Sequence, residues 1–286
     1  MIDILLTGCN GQLGSEIRKL APFYSNFNIL FTDIEELNIT DKRELDRFFA
    51  VHKPGCVINC AAYTAVDRAE TEKERAMLIN AEAVRLLAEC CKDNDFLLVH
   101  ISTDYVFDGL KRTPYLETDE MNPVSFYGLT KSTGENHIFN VSPRALVIRT
   151  SWLYSSFGTN FVKTILKFGR ERGQLNVVND QYGCPTYAAD LARTILDIIP
   201  QCSDVTKPEI LNYSNEGIIT WFEFAKAIID TKHVNCVLNP VSTEEYPTPT
   251  KRPSYSAFSK EKIKNKFGVH IPYWADSLKI CLSLID

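Results

Sequence analysis

The stretch that decides the fold is Ile4-Leu5-Leu6-Thr7-Gly8-Cys9-Asn10-Gly11-Gln12-Leu13-Gly14. An apolar run leads directly into glycines spaced three apart, and a segment of helical periodicity begins within the loop. In a strand–loop–helix unit, one glycine makes the tight turn, one lets the backbone approach a pyrophosphate, and one lets the helix pack close to the strand. The free N–H groups and the positive end of the helix dipole can then hold a diphosphate. A tight turn that binds no ligand would use the same glycines. The choice between a diphosphate-binding loop and such a turn therefore depends on the rest of the sequence.

Short apolar runs recur through the first half of the chain, at 4–6, 29–31, 56–58, 96–99 and 145–148. They lack the polar alternation of half-exposed strands and are typical of strands buried on both faces. Segments of helical periodicity lie between them, at 13–20, 42–52, 74–91 and 125–139. This alternation predicts an α/β fold with a Rossmann-type, doubly wound parallel sheet.

The pattern loosens after about residue 150, where loops, aromatic residues and prolines become more frequent. We expect residues 1–150 to form a dinucleotide-binding domain and residues 151–286 to form mainly a smaller substrate-binding lobe. The segments 175–178 and 190–199 have patterns that suit a return to the sheet. Parts of 175–212 are therefore expected to rejoin the first domain, which would make the C-terminal lobe partly discontinuous.

Composition excludes several classes of protein. The chain has 286 residues, with 45% hydrophobic and 23% charged content, which is typical of a globular protein with a sizeable core. Its 31 basic and 36 acidic residues give a net charge of −5, which argues against nucleic acid or an anionic membrane surface as the main partner. The nine cysteines are odd in number and scattered, so we expect reduced, buried thiols and a cytoplasmic location. Neither a basic leader nor an apolar stretch of membrane length is present in the sequence, so no membrane association is expected.

Asp33 ends the second apolar run, nineteen residues after Gly14. A carboxylate at this place can accept hydrogen bonds from the hydroxyl groups of an adenosine ribose, although a solvated turn aspartate would look the same. No basic residue follows at 34–36 to pair with a 2′-phosphate, which favours NADH over NADPH unless Arg18 or Lys42 folds back into reach. The dinucleotide contacts that we expect are Gly8, Asn10, Gly11, Gln12, Leu13, Gly14, Asp33, Asn38, Ile39, Ala61, Ala62, Tyr63, Thr64, Tyr127 and Lys131.

Tyr127 and Lys131 are four residues apart and therefore share one face of a predicted helix, a spacing that is also common by chance. An ammonium group nearby stabilises a phenolate, so the pKa of Tyr127 is expected below the usual phenol value of about 10. Thr103 follows the fourth apolar run, and ligand sites in such sheets lie beyond the carboxyl ends of the strands. Its hydroxyl can donate to a substrate carbonyl beside Tyr127. His100, inside the same run, is expected to be a packed core histidine rather than a catalyst.

Longer motifs carry a family resemblance. They are Asn59-Cys60-Ala61-Ala62-Tyr63-Thr64-Ala65-Val66-Asp67, Ser102-Thr103-Asp104-Tyr105-Val106-Phe107-Asp108-Gly109, Arg149-Thr150-Ser151-Trp152-Leu153-Tyr154 and Asp180-Gln181-Tyr182-Gly183-Cys184-Pro185-Thr186. Together with Asn80, the glycine loop and the Thr103, Tyr127 and Lys131 set, they resemble the extended short-chain dehydrogenase/reductases. Within that superfamily the chain resembles the dTDP-4-dehydrorhamnose reductase family, from Ile4 to near the C-terminus.

The resemblance implies reduction, with NADH or NADPH, of the 4-keto group of dTDP-4-dehydro-β-L-rhamnose to dTDP-β-L-rhamnose, a donor sugar for surface polysaccharide. It implies that Tyr127 protonates the developing alkoxide, that Lys131 binds the nicotinamide ribose, and that Thr103 orients the keto oxygen. The substrate contacts that it implies are Thr103, Asp104, Tyr105, Trp152, Asn160 and Arg252. An arginine fork also suits a diphosphate on physical grounds.

Related functions stay open on the same residues. Dehydration is disfavoured, because Tyr105 stands where sugar-nucleotide dehydratases usually carry an acid. Another 4-reductase or a 4-epimerase would use the same tyrosine, lysine and threonine, and a non-catalytic regulatory subunit can share the fold. Some family members pair subunits through a metal held by carboxylates. Glu16 fits the first ligand position, but alanine stands where the second falls within 187–190, so we expect no metal and leave a homodimer open.

Overall fold

The computed structural model describes residues 1–286, which form twelve strands and eleven helices. The strands are β1 (Ile2–Thr7), β2 (Phe27–Thr32), β3 (Cys56–Asn59), β4 (Leu97–Thr103), β5 (Ala145–Thr150), β6 (Leu153–Tyr154), β7 (Gln174–Val178), β8 (Tyr182–Gly183), β9 (Thr186–Tyr187), β10 (Glu209–Asn212), β11 (Ile219–Thr220) and β12 (Val237–Val241). The helices are α1 (Gln12–Leu20), α2 (Lys42–His52), α3 (Val66–Ala69), α4 (Lys73–Met77), α5 (Ala83–Asp93), α6 (Phe126–Val141), α7 (Phe161–Arg172), α8 (Ala188–Ile198), α9 (Trp221–Thr231), α10 (Glu261–Phe267) and α11 (Trp274–Ser283).

Six strands form one parallel sheet in the order β10-β5-β4-β3-β1-β2. The chain runs outward from β1 to β2 and then crosses back to place β3 on the other side of β1. The strand order therefore reverses between β1 and β3, and in such sheets the ligand crevice lies outside the carboxyl ends of the strands at this point. The predicted Rossmann-type, doubly wound parallel sheet is confirmed.

Both faces of this sheet are covered. Ile4 and Leu6 pack into one core with α1 and α8, whereas Leu5 faces a second core built with α2 and α5. Successive strand residues point to opposite faces, so two covered faces require apolar residues at every position. This is the physical reason for the unbroken apolar runs in the sequence.

A third core lies in the C-terminal part of the chain, where α7, α9 and α11 pack around Phe224 and Trp274. β7 pairs there with β12, so the expectation that 175–178 returns to the main sheet is wrong. Only Val177 of β7 is buried, and a run of this length does not specify which sheet a strand joins. The late strand that does enter the main sheet is β10, which pairs with β5, and residues 190–198 lie in α8, which packs against α1.

None of the eleven helices is both long enough and apolar enough to span a membrane.

Candidate active site

The glycine-rich loop connects β1 to α1 at the point where the strand order reverses. Gly8 has a left-handed backbone with φ of +69°, and a Cβ there would lie 2.6 Å from the backbone nitrogen of Ala61. A Cβ at Gly14 would lie 2.5 Å from the carbonyl oxygen of Gly8. Both positions therefore need glycine, because the loop contacts the exit of β3 on one side and α1 on the other.

A cavity of about 270 Å³ lies between this loop and the end of β2. The carboxylate of Asp33 borders it, where Oδ2 accepts a hydrogen bond from the Asn10 amide at 3.0 Å and Oδ1 accepts one from the Ile34 amide at 2.9 Å. Asp33 is thus held as a fixed negative charge at one end of the crevice. The predicted dinucleotide contacts that line this cavity are Gly8, Gly11, Asp33, Asn38, Ile39, Ala61 and Ala62.

A second cavity, of about 550 Å³, continues from the same glycines toward α6. The two cavities adjoin because Gly8, Gly11, Cys60 and Ala62 line both. The further predicted site residues that line the second cavity are Gln12, Leu13, Gly14, Thr64, Thr103, Asp104, Tyr105, Tyr127, Lys131, Trp152, Asn160 and Arg252.

Tyr127 lies in the first turn of α6, whose N-terminus is capped by Ser125 through a 3.1 Å hydrogen bond from the Gly128 amide. Its ring packs edge-on against Tyr105, with 5.5 Å between ring centroids. Burial raises the pKa of Tyr127, the charge of Asp104 raises it further, and the Thr103 hydroxyl acts in the opposite direction. The expected lowering of this pKa by Lys131 is wrong for this structure, since burial dominates.

Lys131 is fully buried, and its Nζ donates a 2.7 Å hydrogen bond to the carbonyl oxygen of Ile101. The same nitrogen lies 3.3 Å from Nε2 of His100. Burial lowers the pKa of Lys131 to about 8, against the opposing influence of Glu135 and Cys60. Burial also lowers the pKa of His100 well below its usual value, with the charge of Lys131 acting in the same direction, so the imidazole is neutral.

Thr103 and Asp104 form the end of β4 and the turn that follows it. The Thr103 hydroxyl donates to Oδ1 of Asp104 at 3.1 Å and accepts a hydrogen bond from the Tyr105 amide at 3.3 Å. Burial raises the pKa of Asp104 to about 6, although hydrogen bonds from Ser256 and Thr103 oppose the shift. Thr103 and Tyr127 line the same cavity.

Trp152 follows β5 with a left-handed backbone, φ +46°. Its indole stacks on that of Trp221, with 3.6 Å between ring centroids, and lies against Gly183, where a Cβ would be 2.6 Å from the ring. Trp221, at the start of α9, also lines the second cavity, and sequence reasoning missed it. In the sequence Trp221 is one aromatic residue at the start of an amphipathic helix, and a core residue would show the same pattern.

Asn160 and Arg252 reach the cavity from different segments. Asn160 caps α7, accepting from the Lys163 amide at 3.2 Å, and donates to Oε1 of Gln12 at 2.9 Å, so its amide links this helix to the glycine loop. The Arg252 guanidinium lies 3.6 Å from the carboxylate of Asp67, and its Nε is buried without a hydrogen-bond partner. Arg252 therefore lines the cavity with its guanidinium only partly paired.

Two predicted contacts, Asn10 and Tyr63, line neither cavity. The amide of Asn80 holds Tyr63, accepting from its backbone N–H at 2.8 Å and donating to its carbonyl at 3.0 Å. Asn80 also donates to the Thr130 hydroxyl at 3.0 Å, and it lies in a single π-helical turn, 78–82. This connection joins the exit of β3 to α6.

The lining residues that sequence reasoning did not single out include Thr7, Ile79, Ser102, Gly158, Thr159 and Trp221.

Glu16 is buried under the loop that follows β6 and accepts a 2.6 Å hydrogen bond from the Ser155 hydroxyl. Burial raises the pKa of its carboxyl group. No three or more histidine, cysteine, aspartate and glutamate side chains cluster in a way that could hold a metal ion.

A third cavity, of about 710 Å³, adjoins the second one on the side of the C-terminal lobe. Trp221 and Arg252 line both. Its wall combines aromatic rings with amides and an arginine, including Phe161, Phe168, Arg172, Asn176, Gln181 and Tyr246.

Reduction of a carbonyl with a dinucleotide needs a long crevice for the cofactor and a proton donor at one end of it, and this sheet edge provides both. The class is therefore that of the NAD(P)-dependent oxidoreductases with a Rossmann-type fold. The sequence matches the RmlD substrate binding domain family over residues 2–286, and the chain belongs to that family.

Named relatives cover almost the entire chain. A dTDP-4-dehydrorhamnose reductase of Aggregatibacter actinomycetemcomitans is 38% identical over 98% of this chain and 98% of its own. The crystal structure of such a reductase from Clostridium acetobutylicum superposes with a TM-score of 0.94, at 40% identity and 99% coverage of both chains. A structure of the Bacillus anthracis reductase in complex with NADP gives a TM-score of 0.93, at 36% identity and 99% coverage of both.

Proposed function

We propose that this chain reduces the 4-keto group of dTDP-4-dehydro-β-L-rhamnose to dTDP-β-L-rhamnose with NADH or NADPH. The observation that carries the proposal is the single cavity of about 550 Å³ in which Thr103, Tyr127 and Lys131 lie beside the glycine-rich loop. Full-length similarity to reductases with this name supports the substrate assignment.

The crevice fits a dinucleotide in shape and chemistry. The two adjoining cavities extend from Asp33 past Gly8 and Gly11 to Tyr127, and no side chain stands on the glycines between them. Gly8, Gly11, Asp33 and Lys131 would hold the cofactor. When bound, the reduced nicotinamide supplies the hydride that is added to the carbonyl carbon.

Tyr127 supplies the proton that completes the reduction. Hydride addition places negative charge on the former carbonyl oxygen, and the phenol O–H bond breaks as the new O–H bond forms. The raised pKa of Tyr127 keeps the phenol protonated at neutral pH, which is the form that a proton donor requires. Lys131 lies in the same cavity, and its pKa of about 8 allows its ammonium group to replace the lost proton near neutral pH.

Thr103 orients the keto oxygen in this proposal. Its hydroxyl has one hydrogen, which is shared with Asp104, so donation to a substrate requires that bond to open or Asp104 to be protonated. The pKa of Asp104, raised to about 6, makes the second route more available at mildly acidic pH. A donor aimed at the developing charge stabilises the transition state more than the ground state.

The third cavity would receive the nucleoside diphosphate part of the substrate. It adjoins the second cavity at Trp221 and Arg252, so a base against its aromatic wall would place the attached sugar near Tyr127. The guanidinium of Arg252, which lines both cavities, suits a phosphate oxygen at this junction.

A spectrophotometric assay of the purified chain tests the proposal. With dTDP-4-dehydrorhamnose, absorbance of NADH or NADPH should fall in a one-to-one ratio with the product formed. Isomerisation of the sugar nucleotide without net cofactor oxidation would instead identify a 4-epimerase. An inert chain that binds a second enzyme would identify a regulatory subunit, and either result would overturn the proposal.

Location and assembly are also proposals. A cytoplasmic location is supported by nine cysteines that are all free thiols, seven of them buried. The net charge of −5 supports a small-molecule partner over nucleic acid. A homodimer stays a prediction, which sedimentation velocity of the purified chain would test.

A further inference from the structure

A buried row of polar side chains extends from Lys131 across three strands of the sheet. Nζ of Lys131 lies 3.3 Å from Nε2 of His100, and Nδ1 of His100 lies 3.0 Å from Nδ2 of Asn59. Oδ1 of Asn59 accepts a 2.7 Å hydrogen bond from the Thr7 hydroxyl. All four residues are buried, so each donor in the row needs an acceptor.

The backbone fixes which way Asn59 points. The Ala61 amide can only donate, and it lies 3.2 Å from Oδ1 of Asn59. Oδ1 is therefore the acceptor for Ala61 and Thr7, and Nδ2 donates to Nδ1 of His100. A neutral imidazole carries one hydrogen, and Nδ1 is occupied as an acceptor, so that hydrogen lies on Nε2.

The Nε2–H group of His100 therefore faces Nζ of Lys131, which already donates to Ile101. An ammonium group has no lone pair, so two N–H groups would meet at this buried contact. An amine can accept the hydrogen bond. We propose that His100, oriented by Asn59, is a positioning residue that stabilises the amine form of Lys131 and thereby makes its proton easy to release and recapture. The consequence for turnover rests on the proposed function, whereas the protonation states do not.

Other groups also face Lys131. Glu135, one turn further along α6, and Cys60, at the exit of β3, both favour the ammonium form. Tyr127 lies one turn earlier on α6. Burial favours the amine form and so opposes the effect of Glu135 and Cys60 on the pKa of Lys131. The contact with His100 also favours the amine form. The amine and ammonium forms of Lys131 are thereby brought close in free energy.

The first test uses the cofactor-free chain with ¹⁵N-labelled histidine. The chain has five histidines, and loss of one signal in the His100→Phe variant assigns His100. We expect NMR to show His100 neutral, with hydrogen on Nε2, throughout the neutral range. Hydrogen on Nδ1, or a protonated ring at neutral pH, would overturn the proposal without any activity measurement.

The second test reverses the hydrogen-bond order with Asn59→Asp. The new carboxylate accepts from Ala61, Thr7 and Nδ1–H of His100, so Nε2 becomes an acceptor for a Lys131 ammonium group. With ¹³C-labelled lysine, we expect the Lys131 titration to move upward by roughly one to two pH units. Asn212→Asp is the matched control, since it introduces a buried carboxylate on β10, away from this row.

Activity supplies the third readout. The alkaline decline of kcat should move upward in Asn59→Asp by the same amount as the Lys131 titration, and it should stay in place in Asn212→Asp. A lower melting temperature with an unmoved Lys131 titration would show that Asn59 and His100 are only structural, and would overturn the proposal. If the titrations move as expected but the chain reduces no keto sugar, the proposed function fails and the positioning role stands.

Discussion

At the residue scale, Asp104, Tyr127 and Lys131 lie in one buried patch, and their pKa values move in the directions that favour neutral forms. The pKa values of Asp104 and Tyr127 are raised, and that of Lys131 is lowered. Removal from water disfavours charge of either sign, and here this effect exceeds the attraction between neighbouring charges. Tyr127 therefore carries its proton and is ready to donate it.

Replacement of Tyr127 by phenylalanine tests that role. Loss of the phenolic hydroxyl removes the proton donor, so kcat should fall by roughly 100- to 10,000-fold. The dissociation constant of the reduced dinucleotide, measured by fluorescence, should change little. Tyr182→Phe is a suitable control because Tyr182 is exposed and lines neither adjoining cavity. Near-normal turnover of the Tyr127→Phe variant would contradict the mechanism.

Asp33→Ala tests the negative charge at the far end of the crevice. The substitution removes an acceptor for the ribose hydroxyl groups, so NADH should bind about tenfold more weakly or worse. NADPH should lose less, because the same carboxylate repels a 2′-phosphate. Asp33 also accepts from the Asn10 amide, so a distorted loop would weaken both cofactors equally. Titration calorimetry with each dinucleotide separates these two outcomes.

At the element scale, the position of α6 against the end of β4 depends on a close approach at Gly128. A Cβ there would overlap the carbonyl oxygen of Tyr105. Gly134, two turns along, meets the backbone of Asn80 in the same way. Tyr127 and Thr103 can meet only while this helix stays close to the sheet, so the two glycines support the site without contacting a ligand.

We expect Gly128→Ala to destabilise the chain by about 1–3 kcal/mol, because the backbone has to move to relieve the overlap. The same displacement should lower kcat. Gly55→Ala is the matched control, since a Cβ there would have no neighbour closer than 3.7 Å and the backbone is not left-handed. Urea unfolding and the reductase assay measure both effects. Equal stabilities for the two variants would show that α6 tolerates a wider separation.

At the scale of the whole molecule, the buried ammonium group of Lys131 destabilises the folded chain. Its folded pKa is about 8, against 10.5 as the ordinary value, so the unfolded chain binds more protons between these limits. Stability should therefore rise with pH across this window, and the full cost of burying the ammonium group is present below pH 8.

Lys131→Met should consequently be more stable than the parent chain by about 1–3 kcal/mol at pH 7, while it loses activity. The difference should shrink as the pH approaches 10, where the parent chain buries a neutral amine. Paired urea titrations at the two pH values measure the change, and groups common to both proteins cancel. A difference that does not depend on pH would contradict the lowered pKa of Lys131.

Much of this architecture is predictable from local patterns. The runs at 4–6 and 56–58 predict strands buried on both faces, and the glycine spacing predicts the loop between β1 and α1. The segment 175–178 misleads, because its apolar residues suit either the main sheet or the small sheet with β12. The row through His100 is invisible in the sequence, since Thr7, Asn59 and Lys131 come from three separate segments.

The sequence by itself determined the alternation of strands and helices, the glycine loop, and the tyrosine and lysine on one helical face. Each of these follows from residues close together in the chain, through dihedral preferences and the periodicity of side-chain burial. Only the tertiary structure decided that Trp221 stacks on Trp152, that burial governs the pKa of Tyr127, and that Nε2 of His100 lies 3.3 Å from Nζ of Lys131. Desolvation and hydrogen-bond direction depend on groups that are distant in the chain and become neighbours only when the sheet assembles.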